Sequence, residues 1–497
     1  MLVAALVAAC GSPSATGPSI SAAPRHLHLT PEPQARPGQR GATRGPDSAD
    51  LSKEGDVQLS VVQGLLDGTP IFGGDFADPY VLHTPTALYA FATSTLGSPY
   101  AKAANIPVIA LAGGSDFTGH YLGDAIPTLP AWTVPGFQWG PSVWARPDGT
   151  YVLYYSTPAT TLAACQSVPR PAGCVEKSDG WGNAQCISRA TSANPAGPYV
   201  DDSTGPFICP ATAGGAIDPS VYVDQGTPWL LWKTDGDCCD LPTTIEIQRL
   251  TPDGLAVGGP PTALLGATQA WEGGIVEGPS MIKADGTHWL FYSANAWGTP
   301  DYGIGVAKCA TVTGPCTKPL DHAWLAGSGN ELGPGGEEFF SAGGLVWMVH
   351  HVLATGETGN GADRRIHVDL LGFAPGQVPR IADPSLSAAL ALDILYYGDP
   401  RVPSTPDGAF LWLDRRVPDG LSHAPDARLT STGGLVCTGL ARGTPVPTMI
   451  ERVRGRGFTE FESDVIAISA SEFLCPGELA RGLRDLEGVL DGESASA

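Results

Sequence analysis

A repeated strand pattern constrains the fold of this chain more than any other feature of its sequence. Each copy contains a proline, alternating apolar residues, a turn and an aromatic-rich returning strand, and the copies span residues 77–94, 140–156, 218–233, 278–293 and, more weakly, 333–351. Their prolines recur at intervals of 62, 78, 60 and 55 residues, at Pro79, Pro141, Pro219, Pro279 and Pro334. Hairpin repeats of this length are typical of propeller blades. The sequence therefore predicts an all-β fold, a five-bladed β-propeller, over residues 58–385.

Three copies carry an acid beside the proline: Asp78 in FADPYV, Asp218 in AIDPSV and Glu277 in VEGPSM. The innermost strand of each blade lines the central channel, so we expect these side chains to converge there, with the proline keeping the backbone extended. Taken singly, such dipeptides also mark ordinary turns with solvated acids. Three acids at equivalent places in a repeat favour a shared site, and the copy that begins Gly140-Pro141 has no acid at that point.

These motifs, in this order and spacing, resemble glycoside hydrolase family 43 over roughly residues 70–385. The resemblance implies a five-bladed catalytic propeller that inverts configuration at the anomeric carbon. By the same resemblance, Asp78 is the general base, Glu277 is the general acid, and Asp218 tunes and orients that acid. The implied substrates are α-L-arabinofuranosides, arabinan or β-xylosides, with galactose-containing glycans as a further class.

The chemistry explains why three carboxyl groups are needed. A departing sugar alkoxide needs a proton, and negative charge on Asp218 is expected to keep Glu277 protonated near neutral pH. Asp78 must stay ionised to accept a proton from the attacking water. An inverting enzyme needs carboxyl groups about 6.5–9.5 Å apart, to leave room for that water.

Other residues are candidates for substrate binding. Trp139 in QWGPSVW and Trp297 in SANAWG either form apolar walls for a sugar or belong to the core. Arg364 in ADRRIHVD matches an arginine that the family directs at its substrate, with Arg365 and a surface ion pair as the alternatives. The pair His350 and His351 is interpreted as structural.

The family resemblance also raises the question of a metal ion. Many arabinan-cleaving relatives hold calcium in the propeller channel through a histidine in a Gly-Pro-Gly-His motif. In this chain the motif is GPGGEE, and Gly336 replaces the histidine. The resemblance therefore leaves a calcium site open, and we predict no metal ligand and no other cofactor.

The first ten residues, MLVAALVAAC, resemble a bacterial lipobox that ends at Cys10. Residues 11–57 are rich in Pro, Gly and Ser and predict a disordered linker. We expect a protein exported across a bacterial membrane and lipid-anchored to its outer face through Cys10. The alternative is an ordinary secretory signal and a secreted protein.

With Cys10 set aside, ten of the 11 cysteines remain, which suits disulfides in an exported protein. Spacing suggests the pairs Cys165–Cys174, Cys186–Cys209, Cys309–Cys316 and Cys437–Cys475. The adjacent Cys238 and Cys239 would then form a vicinal bridge or exchange partners with another pair. No paired C-x-x-C spacing occurs, so a structural zinc site is not predicted.

Helical periodicity replaces the strand pattern in the last part of the chain. After a linker at 386–405, apolar spacing and a Thr459–Glu462 capping box predict a small α-helical C-terminal domain at 406–483, followed by a tail at 484–497. This segment is similar to a small Cys-bridged helical domain of unknown function found in exported actinobacterial proteins.

Charge excludes one class of partner. The chain has 28 Lys and Arg against 50 Asp and Glu, a net charge of −22, which repels nucleic acid and anionic lipid headgroups.

Together with the family resemblance, the sequence predicts a monomeric glycosidase with a polysaccharide or oligosaccharide substrate, and with membrane contact only through the lipid. Two alternatives are a non-catalytic propeller lectin on the cell surface and a retaining glycosidase of another five-bladed clan.

Overall fold

The repeat forms the strands that build the scaffold. A computed structural model describes residues 70–478 except 85–86, 97–101, 114–119, 164–182, 285, 330, 343–344, 355, 360–361, 374–375, 383–387, 390–401, 416–420 and 422–423. In that part of the chain, strands occur from Tyr80 to Ile381 and are followed by four α-helices between Pro406 and Ser469. The all-β prediction and the helical prediction are both confirmed in this order.

Each predicted hairpin forms the first two strands of a separate antiparallel sheet, and these five sheets are the blades. Blade 1 contains β1 (Tyr80–His83), β2 (Ala87–Phe91), β3 (Pro107–Gly113) and β4 (His120–Asp124). Blade 2 contains β5 (Trp139–Ala145), β6 (Tyr151–Ala163) and β7 (Asn183–Ser192). Blade 3 contains β8 (Ala216–Asp224), β9 (Thr227–Thr234), β10 (Thr244–Arg249) and β11 (Thr262–Gly266).

The remaining strands complete the last two blades. Blade 4 contains β12 (Val276–Ala284), β13 (Thr287–Ala294), β14 (Gly303–Cys309), β15 (Cys316–Thr317) and β16 (Leu325–Ala326), with β15 and β16 both paired to β14. Blade 5 contains β17 (Leu332–Ala342), β18 (Leu345–Leu353), β19 (Arg364–Gly372) and β20 (Arg380–Ile381).

The inner strands close into a ring. Strands β1, β5, β8, β12 and β17 are neighbours in that order, and β17 also lies beside β1. The segment ahead of blade 1 is tied to blade 5 by two backbone hydrogen bonds, Ile71 N–H to Ile366 O at 3.0 Å and Phe76 N–H to Arg364 O at 2.8 Å. The predicted five-bladed β-propeller is therefore confirmed.

One backbone feature recurs at the hub of all five blades. The backbone is left-handed at Asp78, Gly140, Asp218, Gly278 and Gly336, with φ between 48° and 62°. In blades 2 to 5 this residue lies within a β-bulge, which bends the strand and re-aims its side chains. Left-handed geometry suits glycine, and among other residues Asp and Asn adopt it most readily. Residue choice at the hub is therefore restricted by the backbone.

The hub corrects two sequence predictions. The backbone ahead of Pro79 and Pro219 is left-handed rather than extended. At Asp218 the β-bulge of β8 overrides the usual preference of a residue that precedes proline. Glu277 is also not equivalent to the two aspartates, since the residue of blade 4 that matches them is Gly278. In blade 5 the matching residue is Gly336, two positions beyond Pro334. The sequence pattern locates the hub of each blade only to within one or two residues.

The helices form a bundle at the end of the described chain. They are α1 (Pro406–Asp414), α2 (Asp426–Ala441), α3 (Val446–Arg454) and α4 (Glu460–Ser469), and a π-helical turn continues α4 to Leu474. The predicted capping box is present, because the Glu462 N–H donates to Thr459 Oγ1 at 3.3 Å and the Thr459 N–H donates to Glu462 Oε2 at 2.7 Å. No helix in the described ranges is long and apolar enough to cross a membrane.

A single cluster of buried side chains connects the helices with the propeller. It runs from Phe76 and Ile366 through Ala388 and Ala389 to Phe410 of α1. Ala388 and Ala389 belong to the predicted linker at 386–405 but are fully buried. The domain boundaries remain a prediction, and the signal segment with Cys10, the linker at 11–57 and the tail at 484–497 lie outside the described residues.

The disulfides agree with most of the suggested pairs. Cys186–Cys209, Cys309–Cys316 and Cys437–Cys475 are bonded, and Cys238 and Cys239 are bonded to each other. The remaining suggested pair, Cys165 with Cys174, lies outside the described residues.

Replacement of Cys437 and Cys475 by serine is expected to lower the free energy of unfolding of the helical bundle by about 2–4 kcal/mol. The Cys437–Cys475 bond joins residues 38 apart in the sequence and encloses a small core, whereas the Cys309–Cys316 bond joins residues only 7 apart. Urea unfolding followed by far-ultraviolet circular dichroism at 222 nm measures the difference. A matched Cys309→Ser/Cys316→Ser variant should lose less helical stability, and equal losses would contradict the expectation.

Candidate active site

Asp78 is held at the hub by three neighbouring blades. Arg364 Nη1, at the start of β19, lies 3.1 Å from Asp78 Oδ1, and Thr93 Oγ1 donates to Asp78 Oδ2 at 2.5 Å. The Thr93 hydroxyl also accepts the Gly140 N–H at 3.0 Å, which links blade 1 to blade 2. Burial raises the pKa of Asp78, but the Arg364 charge and the Thr93 hydrogen bond outweigh it, so the pKa lies below its usual value. Asp78 is therefore an ionised carboxylate near neutral pH.

His351 supports the backbone of Asp78. The Asp78 N–H donates to His351 Nδ1 at 3.1 Å. Burial, followed by the nearby Arg364 charge, lowers the pKa of His351 to about 3. The imidazole is therefore neutral and accepts a hydrogen bond, which helps to hold Asp78 in its left-handed conformation. This agrees with the structural interpretation of His351.

Asp218 is buried next to other acids. Its backbone N–H donates to Ser156 Oγ at 3.0 Å, and its Oδ2 accepts the Gly278 N–H at 2.9 Å. Burial and then the charge of Glu277 raise the pKa of Asp218 to about 8. Asp218 therefore holds a proton at neutral pH, whereas the sequence predicts the proton on Glu277.

Glu277 has a hydrogen-bond donor on each oxygen. Lys233 Nζ lies 2.8 Å from Glu277 Oε2, and the Tyr302 hydroxyl donates to Glu277 Oε1 at 2.8 Å. Burial and then the Glu277 charge raise the pKa of Tyr302 well above its usual value, so the phenol stays a donor. The Tyr302 ring stacks on His351 with 6.0 Å between the ring centres. Tyr302 contacts Glu277 and His351 contacts Asp78, so the stacked rings connect the two acids.

The hub glycines keep space for the acids. A Cβ added at Gly140 would lie 3.1 Å from Asp218 Oδ1, and one added at Gly336 would lie 2.7 Å from His351 Nδ1 and 2.9 Å from Asp78 Oδ1. Two of the five hub positions hold aspartates, and their neighbours Gly140 and Gly336 leave room for them. This explains why blade 2 has no acid at this position.

Gly336→Ala is expected to cost about 1–3 kcal/mol of folding stability more than Gly226→Ala. Both glycines have a left-handed backbone, with φ of 62° and 79°, but nothing lies within 4 Å of a Cβ at Gly226. The difference between the two variants therefore measures the contact with His351 and Asp78. Thermal unfolding determines it, and equal losses in the two variants would show that the hub accommodates a methyl group.

The predicted binding residues differ in how closely they approach Asp78. Arg364, rather than Arg365, reaches Asp78, whereas Arg365 pairs with Asp363. The Arg364 guanidinium stacks on Trp297 at 4.6 Å from the ring centre, so this indole is placed one contact away from Asp78. Trp139 precedes Gly140 at the start of β5, is half-buried, and packs edge-on against Phe137. Both tryptophans remain predictions as sugar contacts.

The residues at the hub do not fit the calcium site of the arabinan-cleaving relatives. Gly336 has no side chain to offer, and the space beside it is filled by His351, whose Nδ1 is already bonded to the Asp78 N–H. Across the described ranges of the chain, no group of three His, Cys, Asp or Glu side chains is arranged to hold a metal ion. We therefore derive no step of the chemistry from a metal.

Four site residues were not assigned to the site from the sequence: Thr93, Lys233, Tyr302 and His351. Lys233 leaves a signal, because a lysine interrupts the apolar strand WLLWK just before Asp235 and Asp237. The other three leave no such signal, since Thr, Tyr and His are common at strand ends and in cores.

Comparisons with known proteins agree with the fold. Residues 68–379 match the family model for glycosyl hydrolases family 43. The chain is 23% identical over 258 residues to the β-D-galactofuranosidase xynD of Aspergillus niger, a match that covers 50% of this chain and 65% of that protein. The chain thus spans just under two thirds of the length of this curated relative.

Solved structures show the same fold. A thermostable family-43 glycoside hydrolase has a TM-score of 0.51 at 23% identity, over 62% of this chain and 93% of its own. An α-L-arabinofuranosidase from Lactobacillus brevis has a TM-score of 0.51 at 18% identity, over 64% of this chain and 96% of its own.

The family match covers more than half of the chain and contains strands β1 to β19 of the five blades together with Asp78, Asp218 and Glu277. The chain therefore belongs to glycoside hydrolase family 43.

Proposed function

We propose that this protein is an inverting glycosidase that cleaves furanosides, with α-L-arabinofuranosides and β-D-galactofuranosides as its first candidate substrates. The observation that carries the proposal is the difference between the acids at the hub. Asp78 is held ionised beside Arg364, whereas Asp218, which is buried next to Glu277, keeps a proton. A pair of carboxyl groups in opposite protonation states is what glycoside hydrolysis requires.

The roles follow from these states. Glu277 donates its proton to the glycosidic oxygen as the bond to the anomeric carbon breaks. Water attacks that carbon from the opposite face and gives its proton to Asp78. Asp218 shares the proton with Glu277 and orients it through the hub. Arg364 and Trp297 lie on the Asp78 side of the site, where the sugar ring would sit.

The choice of furanosides rests on sugar chemistry and on the named relatives. The Aspergillus niger relative is named as a β-D-galactofuranosidase and the Lactobacillus brevis structure as an α-L-arabinofuranosidase. These two sugars share one ring configuration and differ in the exocyclic chain, so one pocket of suitable length accepts either. Arabinan and β-xylosides are the other substrates to be tested.

A panel of 4-nitrophenyl glycosides tests the proposal. Wild-type protein and Glu277→Gln are compared on α-L-arabinofuranoside, β-D-galactofuranoside and β-D-xyloside, and proton NMR follows the anomer released first. Inversion with turnover of a furanoside supports the proposal, whereas retention would assign the chain another mechanism. Turnover of the xyloside alone would overturn the furanoside assignment. Glycan binding without cleavage by wild type would favour a surface lectin.

We also propose that the enzyme is a monomer, exported and anchored through Cys10, as the sequence predicts. Mass spectrometry of the N-terminal peptide from the producing bacterium tests the anchor. A diacylglyceryl group on Cys10 is the expected result. An unmodified Cys10 in the mature chain would mean that the protein is secreted without a lipid.

A further inference from the structure

Lys233 is a buried cation that the propeller fold itself does not require. Its side chain is fully buried near the end of β9, directly after the apolar run Trp229–Trp232. Burying an ammonium group is costly unless carboxylates surround it. An apolar residue would complete this strand at lower cost, so the lysine is best explained by what it touches.

Three carboxyl groups surround this ammonium. Lys233 Nζ lies 2.8 Å from Glu277 Oε2 on β12 and 2.7 Å from Asp237 Oδ1. It also lies 3.9 Å from Asp235 Oδ1. Asp235 and Asp237 come just after β9. Asp237 belongs to the turn Gly236–Cys239, which contains the bond between Cys238 and Cys239. The lysine therefore connects the proposed acid to a turn of blade 3.

We propose that Lys233 is a positioning residue for acid catalysis, which fixes the Glu277 carboxyl and offsets the negative charge that the Asp218–Glu277 pair gains on giving up its proton. This inference rests on the proposed function. When Glu277 transfers its proton to the glycosidic oxygen, the electron pair of the breaking carbon–oxygen bond stays on that oxygen and the pair becomes doubly negative. Lys233 is the cation in contact with it, and a proton from water restores the pair after each turnover.

Several ionisable groups surround the Asp218–Glu277 pair and make the loss of its proton easier or harder. Tyr302, from the segment ahead of β14, stays neutral and donates to Glu277 Oε1, which makes loss of the proton easier. Asp78 faces the pair from the start of blade 1 and Glu337 from β17. Both are acids, and negative charge on either makes loss of the proton harder. Lys233 opposes them, and Asp235 and Asp237 partly neutralise Lys233.

Two substitutions are expected to shift the pH profile in opposite directions. Lys233→Met removes the positive charge, so the alkaline limb of the kcat/KM profile should move up by about 1–2 pH units and kcat should fall about tenfold or more. Asp237→Asn leaves Lys233 less neutralised, so the same limb should move down by about half a pH unit. Lys233→Arg, which keeps the charge, should restore the wild-type limb in part.

The control is Lys308→Met, which removes an ammonium that lies over the Trp289 ring in blade 4, and it should leave the profile unchanged. A general loss of folding would lower activity at every pH without moving the limbs. Unmoved limbs in both Lys233→Met and Asp237→Asn, or shifts of the same sign, would overturn the inference. Should Lys233→Met fail to fold, Asp237→Asn and Lys233→Arg decide the question by the same criterion.

A second readout separates this inference from the proposed function. The full chain labelled with carbon-13 at its carboxyl groups is titrated by NMR, with Asp218→Asn to assign the signals. The pKa of Asp218 should rise in Lys233→Met and fall in Asp237→Asn, whether or not any glycoside is cleaved. An inactive wild type that shows these shifts would overturn the proposed function alone. An active wild type without them would overturn the role of Lys233 alone.

Discussion

Glu277→Gln is expected to lower kcat by about 10²–10⁴-fold on a glycoside with a sugar or alkyl leaving group. Such a leaving group departs as a strongly basic alkoxide unless it receives a proton. Glutamine has nearly the shape of glutamate, so the contacts with Lys233 and Tyr302 are disturbed little. Steady-state kinetics on an arabinofuranosyl or galactofuranosyl disaccharide measure the loss.

Leaving-group dependence identifies the role of Glu277. A dinitrophenolate departs without a proton, so the same variant should lose far less activity on a 2,4-dinitrophenyl glycoside. Glu246→Gln, a half-buried position on β10, is the matched control and should retain wild-type rates on both substrates. An equal loss on both leaving groups would show that Glu277 acts in binding or folding instead of as the acid.

Asp78→Asn is expected to abolish turnover more evenly, with a loss of about 10²–10⁴-fold whatever the leaving group. An amide accepts no proton from the attacking water, and a better leaving group does not compensate for that. Asparagine also adopts a left-handed backbone and keeps a hydrogen-bond acceptor for Thr93. The loss should therefore appear in kcat of a folded enzyme, whose unfolding temperature falls because Arg364 loses its charged partner.

The pH profile adds an independent check on Asp78. Because Arg364 and Thr93 hold the pKa of Asp78 below its usual value, the base stays ionised as the pH falls to the ordinary range of aspartate. The acidic limb of the wild-type profile should therefore lie below that range. The control is Asp148→Asn, an exposed acid on blade 2 paired with Arg146. An active Asp78→Asn enzyme would remove Asp78 from the mechanism.

The fold was largely predictable because its signal repeats. Each hairpin has the same order of proline, alternating strand, turn and aromatic strand, and five copies of one weak pattern indicate a five-bladed ring. Local irregularity was less predictable. In blades 1 to 4 the hub residue directly precedes the proline, but the fifth blade reaches the hub at Gly336 rather than at Gly333. The β-bulges of β17 insert residues that a pattern of prolines does not count.

The three acids were predictable for the same reason, since each stands at or beside the hub position of its blade. Their partners were not. Lys233 and Tyr302 reach Glu277 from β9 and from the loop ahead of β14, 44 and 25 residues away along the chain. No local pattern reports which second-strand or loop side chains point toward the hub.

The sequence by itself determined the five strand hairpins, the helices with their capping box, and the positions of the acids, because these depend on short-range periodicity and on the backbone preferences of Pro, Gly and Asp. Only the tertiary structure decided the state of each acid. Arg364 holds Asp78 ionised, and burial together with the charge of Glu277 keeps a proton on Asp218. The physical reason is that electrostatic interaction depends on distance and burial in space, and closing the ring sets both.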